Sequence, residues 1–414
     1  MPPPTNGSYP ASTDQVASGW DSQKAMPSPL RIAFIGQKGF PAPWGGVEAH
    51  VEALAVRLAA RGHHPIAYVR RWYSTGSLDP FQGVERVAQP SLRSKHFDAA
   101  LHSFCSAVDT MTRDVDIVHF HAVGPALFSG LPRLAGRRVV TTIHSLDYLN
   151  AKWGTIARGA LRTGERLAFL NSHRVVVVAK HLARLYQARG LQAEYVPNGV
   201  EVPDHVPPGA WLASLGLAGG DYLLSIGRWT ASKRVRESIE VFLRVRPPGL
   251  KFVVAGEADD PAYAAAVRVS AAGSPDVILP GYVAGANKLE LLSNAAGFVT
   301  FSEHEGLPLA LLEAMAHGRA CLASDITPHA EVMEPGLGLL RPAASPVERE
   351  HALRALCELD AGTRNALGDA ARRHVAQYYT WDRTVEQLER IYFELAGDRR
   401  RGRPASGPRT RTPR

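Results

Sequence analysis

The stretch Phe298-Val299-Thr300-Phe301-Ser302-Glu303-His304-Glu305-Gly306-Leu307-Pro308-Leu309-Ala310-Leu311-Leu312-Glu313-Ala314-Met315-Ala316 limits the fold more than any other part of the chain. An apolar run of β-formers passes through a short polar loop into a helical pattern, with Pro308 placed for a first helical turn. This reads as strand, loop and helix N-terminus. Such a helix start offers unpaired N–H groups and a partial positive charge to a phosphate. Glu305 lies in the loop beside that end, and alone it would be an ordinary acid at a helix start. Glu313 stands two turns into an otherwise apolar helix, where a carboxylate is costly to bury. Either it reaches the edge of a site and bonds a ligand, or it lies on a wet face.

Similar units recur along the chain. Leu30 to Gly36 is a buried-type strand that enters the loop Gln37 to Gly46, and a helix follows from Val47 to about Arg61 with Val51, Leu54, Ala55 and Leu58 on one face. Further buried-type strands are read at Ile66–Val69, Ile117–Phe120, Val139–Ile143, Val175–Val178, Tyr222–Ile226, Lys251–Ala255, Val277–Leu279 and Ala320–Ser324. Strands that alternate with helical segments predict an α/β architecture. The 414 residues suffice for two domains, and Pro197-Asn198-Gly199 is a turn that divides them.

Several loops at strand ends carry chemistry. Gly45-Gly46 is an ordinary tight turn or a point where a helix N-terminus approaches an anion without a Cβ in the way. The glycines do not fit G-x-G-x-x-G, and no acid ends a second strand in the dinucleotide pattern, so NAD is disfavoured. His144 follows the strand Val139–Ile143 and faces a cleft or bonds within its own loop. Arg228 and Lys233 stand at R-x4-K spacing after another strand, a bidentate cation and a point charge suited to a diphosphate. Asp114 and Asp116 form D-x-D before a buried strand, where turn and capping roles are common. His119 and His121 share one face of that strand. No third ligand is identifiable beside them, so no metal is expected.

The E-x7-E pair Glu305 and Glu313 around Gly306-Leu307-Pro308 closely resembles the signature of the retaining glycosyltransferases of family four. That resemblance implies two Rossmann-like domains facing each other across a cleft, the GT-B type, with a C-terminal helix crossing back to the first domain. It implies a nucleoside diphosphate sugar donor, no cofactor, and transfer to a glycan or lipid-linked acceptor hydroxyl. By the same resemblance Glu305 lies against the donor sugar and Glu313 bonds the ribose. Arg228, Lys233, Gly306, Leu307, Gly45 and Gly46 border the donor phosphates, and His144 touches the sugar near the reaction centre. Tyr282 and Val283 border the base, and Glu48 and Asp147 lie on the acceptor side. The loop Gly36 to Glu48 resembles a rhamnosyltransferase-like subgroup, which suggests bacterial exopolysaccharide, capsule or glycolipid assembly. The implied division is a flexible leader (1–29), an acceptor-side domain (30–198), a nucleotide-sugar domain (199–378), a crossing helix (379–396) and a disordered basic tail (397–414). Rival readings are a sugar-nucleotide epimerase or phosphorylase on the same architecture, or a non-catalytic nucleotide-binding protein.

The net charge of +8 is concentrated rather than spread. Arg399 to Arg414 holds seven arginines and no acid, so the folded body is near neutral and nucleic acid is not an expected partner. The tail is solvated, or it is attracted to anionic lipid headgroups at the inner face of a plasma membrane. Cys105, Cys321 and Cys357 are far apart and form no C-x-x-C, which fits a reducing, cytoplasmic compartment. The stretch up to Ala107 is weakly patterned. Arg93, Lys95, His96 and Phe97 within it read as solvated loop or as acceptor lining.

Overall fold

The structure is a computed structural model that describes residues 28–41, 45–73, 78–91, 97–149, 153–258 and 260–401. Residues 1–27 of the expected leader, most of the basic tail, and Arg93, Lys95 and His96 lie outside the described residues. The first half builds a seven-stranded sheet from β1 (Arg31–Ile35), β2 (His64–Arg70), β3 (Glu85–Gln89), β4 (Ile117–His121), β5 (Arg138–Ile143), β6 (Arg174–Val177) and β7 (Glu194–Tyr195), in the order β3-β2-β1-β4-β5-β6-β7. The second half builds a six-stranded sheet from β8 (Tyr222–Ile226), β9 (Lys251–Ala255), β10 (Val277–Ile278), β11 (Gly297–Thr300), β12 (Cys321–Ser324) and β13 (Leu339–Arg341), in the order β10-β9-β8-β11-β12-β13. All neighbouring strands run parallel.

Parallel strands need helical crossovers, and these cover both faces of each sheet, which explains the continuous apolar runs read in the sequence. Ile32, Ala33, Phe34 and Ile35 of β1 are fully buried. The winding reverses beside β1 in one sheet and beside β8 in the other. In such sheets ligands sit beyond the carboxyl ends of strands at the reversal. The loops after β1, β8 and β11 are therefore the three best placed, and they carry most of the candidate residues.

The helix Trp381–Arg401 crosses back onto the first sheet. Val385, Leu388, Ile391, Tyr392 and Leu395 share a core with Val51, Leu54 and Leu58 of α1 (Gly46–Ala60). Its start is tied to the linker: Val200 N donates to Tyr379 O at 2.8 Å, and Thr384 Oγ1 donates to Pro197 O at 2.8 Å. This helix continues through Arg401, so residues 397 to 401, expected to open the disordered tail, are helical. Arg is a strong helix former, and one Gly costs only about 1 kcal/mol, which a long packed helix absorbs.

Three elements fall in segments whose pattern is weak. β3 and β13 are edge strands with half-buried residues, so they lack the continuous apolar signal. α2 (Phe97–Thr112) carries an inverted pattern, since it buries Asp98, His102, Ser103, Ser106, Ala107 and Thr110.

A Cβ at Gly199 would lie 2.2 Å from the backbone nitrogen of Trp381, where neither side can give way cheaply. Gly199→Ala is expected to destabilise the protein by about 1–3 kcal/mol in urea unfolding. An unchanged midpoint would show that the linker does not need this close approach.

Candidate active site

On the second domain, β8 is followed by Gly227 and turns through Arg228 into the short helical turn Ala231–Lys233. β11 ends nearby and passes through Ser302 and Glu305 to the helix Leu309–Ala316, for which Pro308 is the N-cap. Gly227, Arg228, Lys233, Thr300, Glu305 and Pro308 line one pocket. Lys233 Nζ pairs with Glu305 Oε1, and Ser302 Oγ donates to the same oxygen at 2.8 Å. Thus a cation, a carboxylate and a helix start meet at one strand edge. Glu313 lies further along that helix, half-buried, and accepts from Lys288 Nζ at 2.6 Å. Sequence reasoning missed Lys288, which sits in an unremarkable Gly-Ala-Asn-Lys helix start. Leu307 packs on the second domain's core. Tyr282 is exposed, whereas the Val283 side chain is a core residue, so only its backbone is available to a base.

The first domain supplies the opposite wall. Gly45 precedes α1 with φ +110°, a conformation that L side chains rarely adopt. A Cβ on Gly46 would lie 3.8 Å from Leu309 Cδ1, so this loop faces the start of the helix Leu309–Ala316. The Glu48 side chain is buried against its own loop, where Oε1 accepts from Lys38 N at 3.3 Å. Its carboxylate thereby shapes the glycine turn. Gly306 comes so close to His144 that a Cβ there would stand 2.2 Å from the His144 carbonyl oxygen. Asp147 accepts from Ser145 Oγ at 2.7 Å in the loop just beyond His144.

Behind His144 lies a group of imidazoles. His121 Nδ1 is 3.2 Å from His144 Nε2, and the His50 ring centroid is 4.9 Å from that of His144. The His119 ring lies against that of His121, tilted, with centroids 4.2 Å apart, and bonds both Tyr392 Oη, at 2.6 Å, and Thr142 Oγ1, at 2.7 Å. The sequence offered no third partner for His119 and His121. The structure corrects that, since His50, His121 and His144 present ring nitrogens within 4.8 Å of one another. His50 escaped notice because it falls on the buried face of α1 like any core residue. The set has the number of donors that a transition metal requires. However, both His50 nitrogens and His121 Nε2 lack partners, whereas ligating histidines are normally anchored through the second nitrogen. Asp114 and Asp116 lie at the amino-terminal end of β4, opposite the candidate site, where Asp116 Oδ2 accepts from Arg31 N at 2.9 Å, a turn role.

Burial holds these imidazoles neutral. It pushes His50 down to about 4, and it holds His119, His121 and His144 well below the usual range, helped by neighbouring histidines. The unfolded chain, with His50 near 6.5, therefore binds more protons than the folded one between that pH and about 4. Stability is full above this window and falls as the pH drops through it, by on the order of a few kcal/mol. Urea midpoints measured from neutral pH down to mildly acidic pH should fall accordingly, and His50→Gln should flatten the slope. An identical slope in that variant would contradict the assignment.

Residues 44–203 match the family Glycosyltransferase Family 4, and residues 220–358 match Glycosyl transferases group 1. Phosphatidyl-myo-inositol mannosyltransferase of Mycobacterium tuberculosis is 27% identical over 397 residues, covering 89% of this chain and 98% of that protein. GDP-mannose:cellobiosyl-diphosphopolyprenol alpha-mannosyltransferase of Xanthomonas campestris is 26% identical over 284 residues, covering 64% of this chain and 73% of that protein. Sucrose-phosphate synthase from Thermosynechococcus elongatus superposes with a TM-score of 0.75 at 20% identity, over 89% of this chain and 100% of that one. Anabaena HepE in complex with UDP and glucose gives a TM-score of 0.72 at 16% identity, over 87% and 99%. The solved structures share the fold, two parallel-sheet α/β domains of the GT-B type. One family match falls on each sheet, and the chain is therefore a glycosyltransferase of the family-four and group-one type.

Proposed function

We propose that the protein transfers a glycosyl unit from a nucleoside diphosphate sugar to an acceptor hydroxyl with retention of anomeric configuration. The observation that carries this reading is the convergence of Arg228, Lys233 and Glu305 on one pocket, at a helix start that faces Gly46 and His144 across the cleft. A diphosphate has the charge and size to draw Lys233 from Glu305, and Arg228 and the N–H groups near Pro308 add positive potential. Glu313 is the carboxylate in reach of a ribose, with Lys288 as its present partner. The relatives named above include enzymes whose names specify GDP-mannose and lipid-linked acceptors, which supports a lipid-linked or glycan acceptor in polysaccharide or glycolipid assembly.

In this scheme the bond between the anomeric carbon and the β-phosphate oxygen breaks, and its electron pair leaves with the diphosphate. The acceptor oxygen attacks the same face and passes its proton to the departing phosphate oxygen. Arg228, Lys233 and the helix start stabilise the charge that develops there, the work a divalent ion does in other transferases. Glu305 orients the sugar and faces the cationic anomeric centre. His144, held neutral and oriented by His121, donates a hydrogen bond to the sugar without adding a positive charge beside that centre.

Purified protein incubated with a panel of UDP, GDP, dTDP and ADP sugars should be stabilised by one class. Saturation at about 100 times the dissociation constant adds ~2.7 kcal/mol. Lys233→Ala should lower kcat/KM for transfer by about 10²–10³, and Glu313→Ala should chiefly weaken donor binding. Recovery of an epimerised sugar nucleotide, or a requirement for inorganic phosphate, would overturn transfer.

A further inference from the structure

The imidazoles behind the cleft are of two kinds. His119 has both ring nitrogens engaged, one with Tyr392 and one with Thr142, and is a satisfied packing residue. His50 and His121 are also buried, yet both nitrogens of His50 and Nε2 of His121 have no partner among the described residues. A neutral imidazole keeps one bare lone pair whichever nitrogen holds the proton. Leaving such groups unsatisfied in a core costs about 1–3 kcal/mol each. Packing alone does not call for rings of this kind.

Their arrangement is that of ligands around one point. His50 comes from α1, His121 from the end of β4 and His144 from the loop after β5, so three separate elements converge. One ring nitrogen of each lies within 4.8 Å of the others. Zinc held tetrahedrally by imidazoles at ~2.0–2.1 Å requires the ligating nitrogens about 3.3–3.4 Å apart and the ring centres about 5 Å apart. His121 Nδ1 and His144 Nε2 already stand 3.2 Å apart. The three ring centroids form a nearly regular triangle with sides of 4.9, 5.2 and 5.5 Å. No pair of nitrogens has to close by more than about 1.5 Å to complete the set. His144 is only half-buried and borders the cleft, which gives an ion its way in and leaves a fourth position for water.

We propose that His50, His121 and His144 form a site for a divalent transition ion of the class that imidazole suits, such as zinc, cobalt, nickel or copper. The proton between His121 and His144 moves to the outer nitrogen of the ring that carries it, so three lone pairs meet the ion and no proton is lost. Anchors on the second nitrogens strengthen such sites by about 10–100-fold, and His50 and His121 lack them. The ion is therefore a reversible occupant rather than a permanent centre. Its two positive charges would stand beside His144, which in the proposed reaction touches a sugar that becomes cationic, so occupancy inhibits transfer. That consequence rests on the proposed function, whereas the site itself does not.

Full-length protein without an affinity tag should take up one equivalent of Co²⁺ with the visible absorption of a tetrahedral ion, and Zn²⁺ should displace it. His50→Gln should bind Co²⁺ at least about 100-fold more weakly, since losing a ligand costs no less than losing an outer partner. The variant should keep the wild-type circular dichroism and a cooperative urea transition, which separates loss of a ligand from loss of the fold. His50→Cys, which supplies a thiolate, should restore Zn²⁺ binding. Zn²⁺ should lower kcat for transfer by the wild type, reversibly on addition of a chelator, and spare His50→Gln. A wild type without the tetrahedral cobalt spectrum would overturn the inference, as would a spectrum that His50→Gln leaves unchanged. A spectrum lost in His50→Gln but unaccompanied by inhibition would uphold the site and contradict the role given to His144.

Discussion

The backbone of Gly306 lies against the carbonyl oxygen of His144 with no room for a side chain between them, since a Cβ there would stand 2.2 Å from that oxygen. Two loops from different sheets thereby share one wall. Glu305 and the pocket cations are brought opposite the glycine loop of α1 by this approach, and the crossing helix and the linker around Gly199 hold it. Ion pairs outside the pocket act in the same sense: Glu331, whose side chain is only 7% exposed, accepts from His181 Nδ1 at 3.0 Å and from Arg184 Nη2 at 2.5 Å, joining the second domain to the first. Domains joined by a single interface ordinarily move against each other. Opening here would strip a buried carboxylate of its partners, which is costly.

Charge is divided between the walls in a way that suits the chemistry. In the proposed reaction the second domain's cations and helix start would face the negative charge gathering on a leaving diphosphate. The imidazoles of the first domain, which burial keeps neutral, would stand beside the sugar as it becomes cationic. A protonated histidine there would oppose the transition state, so the apolar packing around His50 and His121 does electrostatic work for His144. Tyr392 of the crossing helix bonds His119 in this group, so the helix that fixes the domain arrangement also supports the imidazoles.

Much of this arrangement was legible in the sequence because buried parallel strands write an unmistakable pattern. Apolar runs such as Arg31–Ile35 and Val175–Val178 end in polar loops, and a topological rule then says where ligands sit. Arg228, Lys233 and Glu305 were legible from their place at strand ends. What sequence hid was of two kinds. His50 and Lys288 are partners chosen by tertiary contact, and nothing within their own helices distinguishes them. α2 was hidden because its apolar residues face outward, so periodicity gave no sign of which side meets the sheet. Glu48 and Val283 show the reverse limit: position along the chain placed them near the site, but packing turns one onto its own loop and the other into the core.

In the proposed donor site two sheet edges close on a single diphosphate between a cationic wall and a neutral one. A crystal structure of the protein grown with the nucleoside diphosphate that stabilises it best tests this. The two phosphates are expected within hydrogen-bonding distance of Arg228 and Lys233, the ribose hydroxyls on Glu313, and Glu305 released from Lys233. A nucleotide bound elsewhere, with the ion pair of Lys233 and Glu305 intact, would contradict it.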